Sequence, residues 1–308
     1  MIILLLLLIP AFVILFYNWR ALKITIEPVD LPKDLEAYLK ERETLVSHLR
    51  PDCEKRILWA NRKNSQTEFS IIYLHSFTGS PRELHPLIED LGKKLKANIF
   101  YQRLDGHGQG KDDLETVTLQ QWTNNTWEAW EIGRRIGRKI ILVSTSTGSA
   151  LATWLCGQVE NIHSAIMLSP NFMPKNHLIK WLILPGTLKL LEKIKGHYAR
   201  HKIVTKAIEQ YFTIIYPRKA WLPMFRACLL ANTIHHEKIA TPLMLLYTEH
   251  DTLISTASIK SIYSRWGSAQ KKLVNLCETK KHLFAGNLFA PEKTGEVQSL
   301  IENFIQEL

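Results

Sequence analysis

The sequence predicts an α/β fold: a doubly wound, mostly parallel sheet with an inserted helical cap and an N-terminal transmembrane helix. Three observations predict it. Near-continuous apolar runs of strand length recur along the chain, helical patterns separate them, and the stretch from Met1 to Tyr17 carries no charge. Apolar runs of that kind suit strands buried on both faces, and their alternation with helices means βαβ units.

The first element, "MIILLLLLIPAFVILFY", ends at Asn18, Trp19 and Arg20. It has about the minimum of ~17–20 residues that span a bilayer. A cleaved secretory signal would need a basic n-region and a small-x-small site. No Lys or Arg precedes the run and "NWRALKI" offers no such site, so residues 1–19 read as an uncleaved anchor. Arg20 and Lys23 follow it, which by the positive-inside rule favours a cytoplasmic-facing body, but one short flank decides little and the side of the membrane stays open. Residues 20–56 form a charged connector, broken by Pro28 and Pro32, and the start of the domain. Residues 57–308 form the domain itself.

Within it, "SIIYLHSF" (Ser70–Phe77), "NIFYQRL" (Asn98–Leu104), "KIILVST" (Lys139–Thr145), "SAIMLSP" (Ser164–Pro170), "PLMLLYT" (Pro242–Thr248) and "KLVNLC" (Lys272–Cys277) read as buried strands. In "STASIKSIYSRWG", Ile259, Ile262, Tyr263 and Trp266 recur at helical spacing, with Ser255 as a cap and Gly267 as a stop. Val297, Leu300, Ile301, Phe304 and Leu308 repeat the pattern at the C-terminus. From Asn171 to about Ala240 no strand is evident. Amphipathic, basic segments with Pro174, Pro185 and Pro217 read there as a helical insertion, residues 171–240.

Composition narrows the function. A chain of 308 residues with 46% hydrophobic and 22% charged residues buries a large core, which excludes intrinsic disorder. Cys53, Cys156, Cys228 and Cys277 form no CxxC pair and read as free thiols. The net charge of +10 is accompanied by no zinc-finger spacing, aromatic RNA-binding motif or basic helical repeat, so nucleic acid is not the expected partner. A basic face toward anionic lipid accounts for the excess.

The stretch "VSTSTGSA" follows a predicted strand, on the edge of the sheet where open α/β folds bind ligands. A nucleophile on a sharp strand-to-helix turn crowds the positions two before and two after it. Around Ser146 these are Ser144 and Gly148; around Ser144 they would be Leu142 and Ser146, and Leu142 is too bulky. The turn alone also fits a helix N-cap. A serine needs a base and a group that orients it. "LLYTEHDTLIS" ends a strand with Asp251, and "LCETKKHLFAGN" follows the last strand with His282. Glu249 is a rival acid. His75 and His107 lie near Asp105, Asp112 and Asp113, but neither HExxH nor another ligand spacing supports a metal.

From about Ser70 to the C-terminus the chain resembles the α/β-hydrolase superfamily, in particular its serine esterases and monoacylglycerol-lipase-like members. "YLHSFTGSPREL" resembles the His-Gly oxyanion-hole loop, "RLDGHGQG" the Gly-His-Gly turn, and "VSTSTGSA" the nucleophile elbow. The resemblance implies a triad of Ser146, Asp251 and His282, in the family's chain order. It also implies that the backbone N–H groups of Phe77 and Thr147 hold the oxyanion. Two positions depart from the pattern: Ser144 replaces the first glycine of the elbow, and Ser76 replaces the glycine after His75.

The resemblance further implies ester hydrolysis through an acyl-enzyme, with no metal or organic cofactor. Beside an anchor, the apolar residues of the insertion, Leu178, Trp181, Leu182, Ile183 and Leu184, suit a lipid-like acyl chain, and its lysines suit an anionic membrane. Thioesterase or acyltransferase chemistry would use the same triad, and a non-catalytic membrane-tethered binding module would use the same fold. The oligomeric state stays open.

Overall fold

The computed structural model describes residues 22–176, 179, 184, 186–202 and 205–308. The expected anchor, residues 1–19, lies outside them, and among the described residues no helix is long and apolar enough to cross a membrane.

A seven-stranded sheet forms the centre. It comprises β1 (Arg56–Leu58), β2 (Thr67–Leu74), β3 (Asn98–Gln102), β4 (Gly137–Thr145), β5 (Ile162–Leu168), β8 (Leu243–Tyr247) and β9 (Lys271–Asn275), in the order β1-β3-β2-β4-β5-β8-β9. Only β1, at the edge, runs antiparallel to its neighbour. The apolar runs are continuous because alternate side chains enter two cores. Ile71 and Tyr73 of β2, Ile141 and Val143 of β4, and Met244 and Leu246 of β8 pack on α2 (Leu87–Leu95) and α9 (Pro291–Gln306). Ile72, Leu74, Leu142, Leu243 and Leu245 face the opposite layer of α3 (Leu119–Ile136), α4 (Thr147–Cys156) and α8 (Thr256–Arg265). Ser255 caps α8 as its sequence suggests, accepting from the Ser258 amide.

The connector contains more structure than its charge implies. α1 (Leu35–Thr44) starts at Asp34, whose carboxylate accepts from the amides of Glu36 and Ala37, and it buries Leu35 and Leu39. Only Leu35 and Leu39 are fully buried, with Tyr38 packed partly buried beside them, so no broad amphipathic stripe announces it. Its C-terminal turn is held by charge instead. Glu43 receives Arg103 through Nε and Nη2, both at 2.8 Å, and Lys55 meets Glu128 at 2.6 Å, all four side chains being buried.

Between β5 and β8 lies the expected insertion, with one correction: it is not wholly helical. Alongside α5 (Thr187–Lys195), α6 (Lys206–Tyr211) and α7 (Trp221–Thr233), it contains an antiparallel pair, β6 (Tyr198–Arg200) and β7 (Ile215–Pro217). Each strand is three residues long, too short for a period-two pattern to be read. Of the apolar residues singled out there, Leu178, Trp181, Leu182 and Ile183 lie outside the described residues, and Leu184 is half-buried. Ile208, Phe212 and Ile214 form a small core with Leu283, Leu288 and Phe289, so the base of the cap packs on the loop that carries His282. Arg50 ties the cap to the connector, donating to the carbonyls of Glu209 and Phe212 and to Thr213 Oγ1.

The buried ion pairs make the connector part of the folded unit. Arg103→Met should lower unfolding free energy by about 3–5 kcal/mol, because it strands Glu43 without its partner. Lys63→Ala, at an exposed ion pair with Glu36, should leave the urea midpoint nearly unchanged. Urea denaturation of both variants checks this; equal midpoints would show that α1 contributes nothing to the cooperative unit.

Candidate active site

The ends of β2, β4, β5 and β8 and the loop after β9 converge on Ser146. The residue sits between β4 and α4 with φ 51° and ψ −114°, a conformation that a non-glycine residue rarely adopts. Its backbone is held by neighbours on both sides: the amide donates to the Leu168 carbonyl, and the carbonyl accepts from the amides of Ser149 and Asn171, all at 3.0 Å. Gly148 is required by space. A Cβ there would lie 2.3 Å from the Leu74 carbonyl oxygen and 2.6 Å from that of His75. At the other crowded position, Ser144 is buried and its Oγ donates to Ser149 Oγ at 3.1 Å, so the hydroxyl in place of the usual glycine is satisfied inside the elbow.

His282 bridges the two partners expected for it. Nε2 lies 2.9 Å from Ser146 Oγ and Nδ1 lies 2.6 Å from Asp251 Oδ2. The carboxylate fixes the tautomer: Nδ1–H donates to Asp251, leaving Nε2 to accept the serine proton. Asp251 is fully buried, and its Oδ1 accepts from the amides of Leu253 and Ile254 at 2.8 and 3.2 Å. Burial pushes its pKa up, but the hydrogen bond and charge of His282, with those two amides, outweigh it and hold the carboxyl below the ordinary aspartate value. The His282 loop is anchored as well, its carbonyl accepting from Ser169 Oγ and that of Thr279 from Thr248 Oγ1. The rival acid, Glu249, pairs with Lys260 and accepts from Tyr247 Oη.

The loop after β2 lies against the elbow. Because Gly148 touches the carbonyls of Leu74 and His75, the Thr147 amide at the start of α4 and the Phe77 amide border the same space. Among the described residues neither amide donates to a protein acceptor. Two free N–H groups beside a serine hydroxyl are a pair of donors that can receive an anionic oxygen. His75 shapes the loop: Nδ1 donates to the Ser76 carbonyl at 2.8 Å and Nε2 accepts the Leu104 amide at 3.1 Å. Burial pulls its pKa down to about 4, so the ring is neutral. His107 is buried beside it, its Nδ1 3.2 Å from the carbonyls of Leu104 and Asp105, and burial lowers its pKa too. His75 bonds backbone through both ring nitrogens and His107 through Nδ1. Asp105 binds Asn125, and Asp112 accepts from Tyr198 Oη.

Several residues at the site carry no signal of their own in the sequence. From the cap, His201 Nε2 lies 2.7 Å from Thr78 Oγ1, the Thr213 amide donates to the Thr78 carbonyl, and Tyr216 stacks edge-on against Phe77 at 5.2 Å. Lys175 Nζ donates to the Asp251 carbonyl at 2.9 Å. Beneath the oxyanion loop lies Glu83, fully buried, whose Oε2 accepts from Ser76 N–H at 2.9 Å and Ser76 Oγ at 2.6 Å. Burial pushes its pKa up to about 7, against the Ser76 donors and the nearby His282. Nothing in "SPREL" marks Glu83 as different from a solvated turn residue.

No family model matches the sequence. A thermostable monoacylglycerol lipase of Bacillus sp. (strain H-257) is 22% identical over 216 residues, which are 67% of this chain and 80% of that protein. Among solved structures, one from work on the metagenome-derived lipolytic enzymes LipS and LipT superimposes with a TM-score of 0.71 at 17% identity, covering 84% of this chain and all of the other. A soluble variant of the Saccharomyces cerevisiae monoglyceride lipase, in complex with a substrate analogue, gives 0.63 at 11% identity, over 82% of this chain and 91% of its own. The Paleococcus ferrophilus monoacylglycerol lipase gives 0.60 at 12%, over 82% and 98%. Taken with the strand order and the turn at Ser146, these likenesses establish that the chain has the α/β-hydrolase fold.

Proposed function

We propose that this chain is a serine carboxylic-ester hydrolase, held at a membrane by residues 1–19 and acting on esters with lipid-like or other apolar acyl groups. The observation that carries the reading is the hydrogen-bonded line from Ser146 through His282 to Asp251, beside two free amides. His282 Nε2 takes the serine proton as Oγ attacks the ester carbonyl. The oxygen that becomes negative is met by the amides of Phe77 and Thr147, each such donor being worth about 3–4 kcal/mol in the transition state. The imidazolium, stabilised by Asp251, then protonates the leaving alcohol. Water, deprotonated by the same imidazole, releases the acid from the acyl-enzyme.

The apolar substrate is supported by the lipase and esterase activities named for the proteins the chain resembles. It is also supported by the cap, whose α5 leaves Leu190 and Ile194 exposed among Lys189, Lys193 and Lys195. For the anchor, the support is the charge-free run itself and the docking of the segment just after it. Leu22, Ile24 and Leu31 pack on the core, and Thr25 and Gln120 exchange hydrogen bonds at 3.0 and 2.7 Å. The body thus begins within a few residues of the anchor, which would hold it against the bilayer surface.

Ser146→Ala and His282→Ala should each abolish nearly all turnover, and Asp251→Asn should lower kcat by about 10⁴-fold, since it leaves the imidazole in the wrong tautomer. A fluorophosphonate should label the wild type at Ser146; an adduct at Ser144 or Ser149 with Ser146 free would overturn the assignment. Across p-nitrophenyl esters, kcat/KM should rise by up to about fourfold per added methylene while the acyl chain is being buried, as ~0.8 kcal/mol per methylene dictates. A profile falling from acetate onward would refute an apolar acyl site.

The full-length chain should stay in the membrane after carbonate extraction with Met1 intact. Recovery in the soluble fraction, with a mature N-terminus near Ala21, would identify a cleaved signal instead.

A further inference from the structure

We propose that Glu83 is a positioning residue of the oxyanion hole: by gripping both donors of Ser76, it sets the peptide plane that aims the Phe77 amide at the reacting carbonyl. The inference rests on the esterase reading and adds to it a residue outside the triad and outside the pair of amides.

The geometry begins at Ser76. Its N–H and Oγ both donate to Glu83 Oε2, at 2.9 and 2.6 Å. Its carbonyl accepts from His75 Nδ1 at 2.8 Å and from the Gly79 amide at 3.1 Å. Residue 76 is therefore gripped at its N–H and its C=O together. The C=O of residue 76 and the N–H of residue 77 belong to one planar trans peptide and point in opposite directions. Fixing that carbonyl on the His75 side turns the Phe77 N–H the other way. A crankshaft rotation of the Ser76–Phe77 peptide would swing it; the His75 and Gly79 bonds hold its carbonyl, and Glu83 fixes the Ser76 N–H and hydroxyl from which that peptide extends.

The surroundings fit a built device better than an accidental burial. A Cβ on Gly79 would lie 2.2 Å from Glu83 Oε2 and 2.9 Å from Ser76 Oγ, so the turn closes directly over the carboxyl. Behind it, a Cβ on Gly286 would lie 2.6 Å from the Glu83 carbonyl, and the Asn287 amide donates to the His85 carbonyl at 2.8 Å. The segment around Glu83 thus braces the oxyanion loop and the loop following His282. Ser76, where the family pattern has glycine, is explained by the same contact, because its hydroxyl supplies the second donor. A buried carboxyl is costly unless its hydrogen bonds are used. Oε2 accepts both Ser76 donors whether the group is charged or carries its proton on Oε1, so glutamine can replace it.

The test compares Glu83→Leu, Glu83→Gln and Ser76→Ala in the full chain. The readouts are ester kinetics, inhibition by an alkyl trifluoromethyl ketone, whose serine adduct bears the same oxyanion, and amide hydrogen exchange. With Glu83→Leu, kcat should fall about tenfold or more, less than the ~10²–10³-fold of deleting an oxyanion donor outright. The ketone Ki should rise by the same factor, KM should stay within about twofold, and the Ser76 amide, which loses its acceptor, should exchange faster while β2 is unchanged. Glu83→Gln should restore most of the kcat. Ser76→Ala, which keeps the carboxyl and removes one donor, should raise Ki by a smaller factor, and it decides the matter should Glu83→Leu not fold. Unchanged Ki in Ser76→Ala, or a Gln variant as damaged as Leu, would overturn the proposal. Absence of any Ser146-dependent turnover or labelling in the wild type would refute the esterase reading instead, and amide exchange would still report whether Glu83 holds the loop.

Discussion

The close approach of α4 to the end of β2 is the constraint on which the site depends. Gly148 has room for a hydrogen and nothing more against the carbonyls of Leu74 and His75. That contact brings the elbow and the loop after β2 into one space, so that a nucleophile from one and an amide from the other can meet the same carbonyl. It also explains why Ser146 stays in a strained conformation. The turn is over-determined by the Leu168 carbonyl before it, the Asn171 amide beside it and the backbone wall opposite Gly148. Relaxing φ at Ser146 would require all three to move.

Much of this is legible in the sequence, and for identifiable reasons. The strands are buried on both faces, so their apolar runs are continuous and visible; the elbow needs small residues at fixed offsets; and the acid and base each follow a strand end. These are local signals. α1 is hidden because it is held by Glu43 and Arg103, 60 residues apart, rather than by an apolar stripe. The β6–β7 pair is hidden by its length. Glu83 is hidden because its burial depends on a turn, a glycine and a hydroxyl closing over it, none of which has a periodicity. The anchor expected from the charge-free run, residues 1–19, lies outside the described residues, which begin at Leu22.

The cap touches the oxyanion loop rather than merely covering the pocket. Thr78, one residue beyond Phe77, has a positive φ and is held by His201 and Thr213 from the β6–β7 region, while Phe77 packs on Tyr216. Arg50 in turn ties the Phe212 carbonyl and the Thr213 hydroxyl to the connector. Movement of the cap pair therefore cannot be independent of the loop that carries the Phe77 amide.

Two carboxyls, Asp251 and Glu83, lie fully buried close to the same histidine, and their environments drive them apart. Asp251 receives two backbone amides and the imidazole, so its charged form is favoured and it can stabilise the imidazolium that forms when His282 takes the serine proton. For Glu83 complete burial outweighs the two Ser76 donors, the charge of His282 and the hydrogen bond of Tyr73, and its pKa rises to about 7. A full negative charge close behind the oxyanion loop would oppose the charge developing in front of it. Raising the pKa of Glu83 lessens that opposition without giving up its hydrogen bonds, because the neutral acid still accepts through Oε2. One carboxyl is thus kept charged where the proposed reaction would make a cation, and the other is drawn toward neutrality where it would make an anion.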